Sequence, residues 1–211
     1  EAHNNLGIVY DQLGRTEDAL REYQNVLKSD PENIRVRNNL GILYEKKGDL
    51  DSAMREYEAA VRIDQYNVHA FSNLGLLYRK MNLLADSEKA FRSAIALKKN
   101  DPIIHNNLGT VYFTQQSFDA AKNEFERAVA LKPDYTEALN NLGLAYRRLQ
   151  RYDDSIIVFQ KAIALNPRNA EAHNNLGIVY STIGEIGKAV AEFETAVREN
   201  PYNLNFKENL D

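Results

Sequence analysis

Apolar residues recur along this chain at spacings of three and four, the period of an amphipathic α-helix. In the segment that begins at Thr16, the apolar residues with this spacing are Ala19, Leu20, Tyr23, Val26 and Leu27. Gly14 precedes the segment and Pro31 follows it, and both residue types interrupt or end helices. The pattern predicts a helix from Thr16 to about Lys28.

A second helix is predicted just before this one, from Leu6, Gly7 and Tyr10. Leucine and tyrosine four residues apart share one helical face, and the glycine between them allows a neighbouring group to approach closely. The decapeptide EAHNNLGIVY occurs at Glu1–Tyr10 and again at Glu171–Tyr180, 170 residues or five periods of 34 away. The glycine itself recurs every 34 residues, at Gly7, Gly41, Gly75, Gly109, Gly143 and Gly177.

This fixed period predicts an all-α chain built from repeated helix pairs. The predicted repeats lie at about 2–35, 36–69, 70–103, 104–137, 138–171 and 172–205, in a single array over 1–211. Residues 206–211 restart the pattern and are interpreted as a truncated seventh repeat. Because the chain begins at Glu1 rather than methionine, we expect it to be a fragment of a longer protein.

The period of 34, the L-G-x-x-Y motif of the first helix and the A-x-x-x-F/Y-x-x-A…P motif of the second resemble the tetratricopeptide repeat. The tryptophan usual near the start of that family's first helix is replaced by His3, Arg37, Phe71, His105, Leu139 and His173. The resemblance implies a right-handed superhelical α-solenoid of antiparallel helix pairs, with first helices lining a concave groove. It also implies a protein–protein interaction scaffold.

Composition excludes several other functions. The 211 residues contain no cysteine, which excludes disulfides and thiolate metal sites, and the net charge of −4 does not favour nucleic-acid binding. No apolar run reaches the roughly 18–20 residues that span a bilayer, so no direct membrane insertion is expected. The compartment is left open, with the cytoplasm favoured.

Catalytic and metal-binding motifs are not found. His3, His105 and His173 occupy equivalent positions in separate repeats, and His69 lies elsewhere, so the four histidines are not expected to converge on one ion. We interpret them as partly buried packing residues. The chain has no phosphate-binding glycine loop and no nucleophile elbow. We therefore expect no enzyme activity, no metal and no cofactor.

One asparagine per repeat is expected to face the groove. These six rung asparagines are Asn5, Asn39, Asn73, Asn107, Asn141 and Asn175. A side-chain amide offers a donor and an acceptor, so it can bind a peptide backbone without reading side chains. The row resembles the asparagine ladder of protein O-GlcNAc transferase and kinesin light chains, which bind extended peptides. The alternative is structural, because asparagine is also the family's consensus residue before Leu-Gly.

The remaining predicted groove residues are basic or apolar. In repeats two to six the predicted groove positions hold six bases and three acids, the bases being Arg35, Lys46, Arg79, Lys80, Arg147 and Arg148. This bias predicts an acidic or carboxylate-bearing ligand segment. Phe113 is predicted as an apolar anchor beside Leu76, Ile103 and Leu144. The alternative is that Phe113 packs within its own repeat.

Three functional hypotheses follow. The first is a scaffold that binds an extended peptide of a protein partner in the groove. The second is a structural element that self-associates end to end through the open ends of its repeat stack. The third is the targeting arm of a larger enzyme, whose catalytic part would lie outside this chain.

Overall fold

The computed structural model describes residues 2–210, which form 13 helices and no strand. The helices are α1 (Ala2–Gln12), α2 (Thr16–Ser29), α3 (Ile34–Lys47), α4 (Leu50–Ile63), α5 (Val68–Lys80), α6 (Leu84–Leu97), α7 (Pro102–Thr114), α8 (Phe118–Leu131), α9 (Thr136–Arg148), α10 (Tyr152–Leu165), α11 (Ala170–Thr182), α12 (Ile186–Glu199) and α13 (Leu204–Leu210). The prediction of an all-α chain of helix pairs is confirmed. None of the described helices is both long and apolar enough to cross a membrane.

The helices form two compact units, Glu1–Lys99 with α1–α6 and Asn100–Asp211 with α7–α13. Odd-numbered helices are the first helices of the pairs, and even-numbered helices are the second helices. Within each unit, the helices of a pair pack against each other, and each second helix packs on the following first helix. First helices also touch, as α1 and α3 do in the first unit and α7, α9, α11 and α13 do in the second.

The two helices of a pair approach closely at a glycine. In the second unit, a Cβ atom built on Gly109 would lie 2.6 Å from the ring of Phe125, closer than side chains pack. Ala121 and Ala128, on the same second helix as Phe125, are fully buried. The glycine and the two alanines therefore make room for the aromatic ring, as the repeated motif predicts.

The turn inside each pair contains one residue with a left-handed backbone. These residues and their φ angles are Gly14 (71°), Gly48 (80°), Asn82 (60°), Gln116 (61°), Gln150 (59°) and Gly184 (81°). Glycine adopts this conformation readily, whereas a glutamine side chain crowds its own backbone there. The turn geometry is thus kept in every repeat even where its favoured residue is missing.

Tyrosine hydroxyls connect first helices to the preceding second helix. Tyr146 donates a hydrogen bond to Glu126 Oε1 at 2.7 Å, and Tyr78 donates to Glu58 Oε1 at 2.9 Å. Burial, and then the neighbouring glutamate, raises the pKa of each of these tyrosines to about 12. The hydroxyls therefore remain neutral donors well above neutral pH and help to hold consecutive repeats together.

Candidate functional site

Side chains of consecutive first helices meet at a separation of 35 residues, one more than the repeat length. In the first unit, Lys46 Nζ lies 2.6 Å from Asp11 Oδ2, and Asn39 Nδ2 donates to Asn4 Oδ1 at 3.2 Å. In each unit, the positions equivalent to Asn4, Asn39, Asp11 and Lys46 form one surface of the first helices. We call this surface the first-helix face. It carries the residues predicted to bind a ligand.

Some rung asparagines are bonded to the preceding repeat. Each of these donates its amide to the asparagine that begins the NNLG motif one repeat earlier. Besides Asn39, Asn141 Nδ2 donates to Asn106 Oδ1 at 2.9 Å. Asn209, the equivalent residue in α13, donates to Asn174 Oδ1 at 2.8 Å. These asparagines join neighbouring first helices, so part of the predicted ladder contributes to the fold.

The other rung asparagines have no side-chain hydrogen bond within residues 2–210. They are Asn5, which is exposed, and the half-buried Asn73, Asn107 and Asn175. Two buried amide oxygens also lack a partner in this range, Asn38 Oδ1 and Asn140 Oδ1. Asn38 lies 35 residues before Asn73, and Asn140 lies 35 residues before Asn175. We call this row of asparagine-to-asparagine hydrogen bonds the amide relay. It is open at one step in each unit, because the bonds from Asn73 to Asn38 and from Asn175 to Asn140 are not formed.

The predicted basic residues differ between the two units. In the first unit Lys46 is paired with Asp11, and Lys80 Nζ lies 3.8 Å from Glu45 Oε2. In the second unit neither Arg147 nor Arg148 forms an ion pair within the described part of the chain. Arg79, in the first unit, has no described carboxylate partner either. The six bases are thus not equivalent, because two of them are neutralised by acids from the preceding repeat.

Phe113 packs partly within its own repeat. Its ring centroid lies 5.3 Å from that of Phe118 in an edge-to-face arrangement, and both rings are half-buried. Arg148 Cζ lies 5.9 Å from the centroid of the Phe118 ring. Sequence reasoning missed Phe118. Its place at the first position of a second helix, next to the turn that follows Phe113, could have indicated the contact. The anchor role of Phe113 stays a prediction.

Polar pairs replace the missing tryptophan in four repeats. Each pair joins a first-helix residue to a glutamate 19 residues later, and the pairs are His3–Glu22, Arg37–Glu56, His105–Glu124 and His173–Glu192. The His105 Nδ1–Glu124 Oε2 distance is 2.6 Å. Sequence reasoning missed these glutamates, although their constant spacing marks them. The other two repeats hold apolar residues at both positions, Phe71 with Ala90 and Leu139 with Val158.

The interpretation of the histidines as packing residues holds for two of the four, since His69, like His3, is exposed. His105 and His173 are buried, whereas His3 is exposed. Among residues 2–210, no group of three or more histidine, cysteine, aspartate or glutamate side chains is arranged to hold a metal ion.

Comparisons with known proteins identify the repeat. Two family models, both described as tetratricopeptide repeat, match this chain, one at residues 4–68, 72–121 and 106–167 and the other at 158–191. The crystal structure of MamA shares 28% sequence identity with it, covering 77% of this chain and 95% of MamA with a TM-score of 0.72. A comparison with curated protein sequences found no match.

Two further solved structures share the fold at lower identity. PilW, described as a widely conserved type IV pilus biogenesis factor, is 20% identical over 100% of this chain and 97% of its own, with a TM-score of 0.86. YrrB, described as a TPR protein with an unusual peptide-binding site, is 20% identical over 88% of this chain and 96% of its own, with a TM-score of 0.72. At this identity the likeness concerns the fold alone.

Proposed function

Because this chain belongs to the tetratricopeptide repeat family, whose fold serves as a protein–protein interaction scaffold, we propose that it binds an extended segment of a partner protein. The first-helix face is the proposed binding surface. Side-chain amides of the rung asparagines bind the backbone of the segment, so that binding tolerates many sequences.

The observation that carries the proposal is the set of rung asparagines without a side-chain hydrogen bond. Asn73 and Asn175 are half-buried, so each amide has lost part of its hydration without gaining a partner among residues 2–210. A peptide backbone supplies N–H and C=O groups that match both halves of an amide. Bonded rungs such as Asn141 keep a free amide oxygen for the same purpose.

The open steps of the amide relay give binding an additional driving force. Asn140 is 8% exposed, and an unpaired buried acceptor such as its Oδ1 costs about 1–3 kcal/mol. By analogy with the Asn141–Asn106 bond, Asn175 is the natural donor to Asn140. A peptide N–H that occupies Asn175 Oδ1 would turn the amide N–H of Asn175 towards Asn140. Ligand binding would then also satisfy the buried oxygen.

The test compares two pairs of rungs in the full chain. A bead library of random nonapeptides with blocked termini is screened, and the Kd of retained peptides is measured by fluorescence anisotropy. Replacing Asn73 and Asn175 together by alanine is expected to weaken binding about 10- to 100-fold, roughly one hydrogen bond per rung. Thermal stability should stay the same, because neither side chain is bonded in the free protein.

The matched control replaces the bonded rungs Asn39 and Asn141 by alanine. This variant leaves the oxygens of Asn4 and Asn106 without their donors, so its melting temperature should fall. The proposal fails if no peptide is retained, or if the Asn73→Ala, Asn175→Ala variant binds like the parent. A molar mass that rises with concentration in light scattering, with no peptide retained, would favour the self-association hypothesis instead.

A further inference from the structure

Arg147 and Arg148 of the second unit occupy positions that make acid–base contacts between consecutive first helices in the first unit. Two adjacent positions near the carboxyl end of the first helices make the 35-residue contacts, because the first position of one repeat faces the second position of the next repeat. In both first-unit contacts an acid at the first position meets a lysine at the second. In the first unit the contacts are Asp11–Lys46 and Glu45–Lys80. In the second unit the residue 35 positions before Arg148 is Phe113, which cannot pair with it as an acid would. The residue 35 positions after Arg147 is Thr182, which carries no charge.

Arg147 lies in an environment that does not favour its charge. It is half-buried, and burial followed by the like charge of Arg148 lowers the pKa of its guanidinium. Both arginines lie in the last turn of α9, where the helix dipole offsets a small part of this cost. The dipole does not supply a carboxylate to accept the N–H groups of a guanidinium.

Arg148 contacts one aromatic ring. Its guanidinium lies over Phe118, whose ring meets Phe113 edge to face. A guanidinium that stacks on a ring keeps its N–H edges free, and a carboxylate can bind these edges with two parallel hydrogen bonds. An apolar surface from the two phenylalanines thus lies beside the Arg148 guanidinium, and Arg147 is its neighbour in α9.

We propose that Arg147 and Arg148, beside Phe113 and Phe118, form a binding site for the carboxylate of an aspartate or glutamate in the bound segment, next to an apolar residue of the same segment. The inference rests on the proposed peptide-binding function. It adds that the bound segment is selected for an acidic side chain next to an apolar one. It places an acidic preference at these two arginines of the second unit, whereas Lys46 and Lys80 of the first unit already have carboxylate partners.

The experiment screens the full chain against two bead libraries of random nonapeptides, one with amidated and one with free carboxyl termini. The parent should retain peptides enriched several-fold in aspartate and glutamate from the amidated library. In a variant with Arg147→Gln and Arg148→Gln, peptides should still be retained but without this enrichment. A retained peptide and its glutamate-to-glutamine analogue should differ about tenfold in Kd at low salt, and less at high salt.

Arg151→Gln is the control, because it removes one arginine charge from the same unit at a position outside the proposed site. Arg151 is already paired with Asp154 at 2.8 Å and stacks on Tyr146. Its replacement should leave the acidic enrichment unchanged. Circular dichroism should show full helicity for both variants. The Arg147→Gln, Arg148→Gln variant should lose little in melting temperature, since it removes the Arg148–Phe118 contact but no ion pair within residues 2–210.

The outcomes separate the two proposals. Peptides retained by the parent without acidic enrichment, or with the same enrichment in the Arg147→Gln, Arg148→Gln variant, overturn the carboxylate site but leave the scaffold function standing. Enrichment that appears only with free carboxyl termini also overturns it, because the ligand would then be a terminal carboxylate. If none of the proteins retains any peptide, both proposals fail.

Discussion

The glycines of the first helices are packed against aromatic rings, and the sixth repeat contains both a packed and an unpacked helical glycine. A Cβ atom on Gly177 would lie 2.6 Å from the ring of Phe193, whereas a Cβ atom on Gly187 would have no atom within 4 Å. Gly177 lies in the interior of α11, and Gly187 is the second residue of α12. The same substitution therefore has opposite consequences at two sites ten residues apart.

Replacing Gly177 by alanine should lower the free energy of unfolding by about 1–3 kcal/mol, the range for overpacking a buried site. Replacing Gly187 by alanine should raise it by about 0.5–1 kcal/mol, because alanine is the better helix former. Urea unfolding followed by circular dichroism at 222 nm measures both. Equal effects of the two substitutions would contradict the packing argument.

At the scale of elements, the turns between paired helices offer a second test. Gln150 has a φ of 59°, where the repeats with glycine have 71° to 81°. Gln150→Gly should raise the free energy of unfolding by about 0.5–1 kcal/mol, because relief of left-handed strain exceeds the added entropy of the unfolded chain. Differential scanning calorimetry would record a higher transition temperature.

The control for this turn is Gln24→Gly in the interior of α2. Gln24 is exposed, so the substitution removes little packing and should lower the free energy of unfolding by about 1 kcal/mol. A turn substitution that destabilises the protein as much as the helix substitution does would mean that the left-handed conformation at Gln150 carries no strain.

The helices themselves could be predicted from sequence, because period, glycine and proline mark their ends. The contacts between repeats could not. The sequence places Lys46 and Lys80 among the groove bases that predict an acidic ligand, and nothing in a single repeat indicates that Asp11 and Glu45 reach them. That contact depends on how far neighbouring first helices are displaced, which packing determines. The sequence does not decide between an anchor role and a packing role for Phe113, because its partner Phe118 lies on the next helix.

At the scale of the whole molecule, the chain consists of two compact units, 1–99 and 100–211. Repeat arrays are stabilised mainly by neighbouring repeats, and each unit contains consecutive helix pairs with their own contacts. Expressed separately, each unit should therefore retain a helical far-UV spectrum and a cooperative thermal transition. A random-coil spectrum for either piece would show that its helices need the rest of the chain.

The 35-residue contact has a consequence for how such proteins can diversify. The contact joins consecutive first helices, so each pair of facing side chains is contributed by two different repeats. Because its span is one residue longer than the repeat, the two positions are not equivalent. Exchanging whole 34-residue blocks preserves the glycine–aromatic packing inside every block but creates new pairs at its borders. A copy of residues 36–69 inserted after residue 171 would bring the equivalent of Lys46 opposite Arg147 in place of Thr182. Recombination of existing repeats could thus alter ligand preference without a single point mutation.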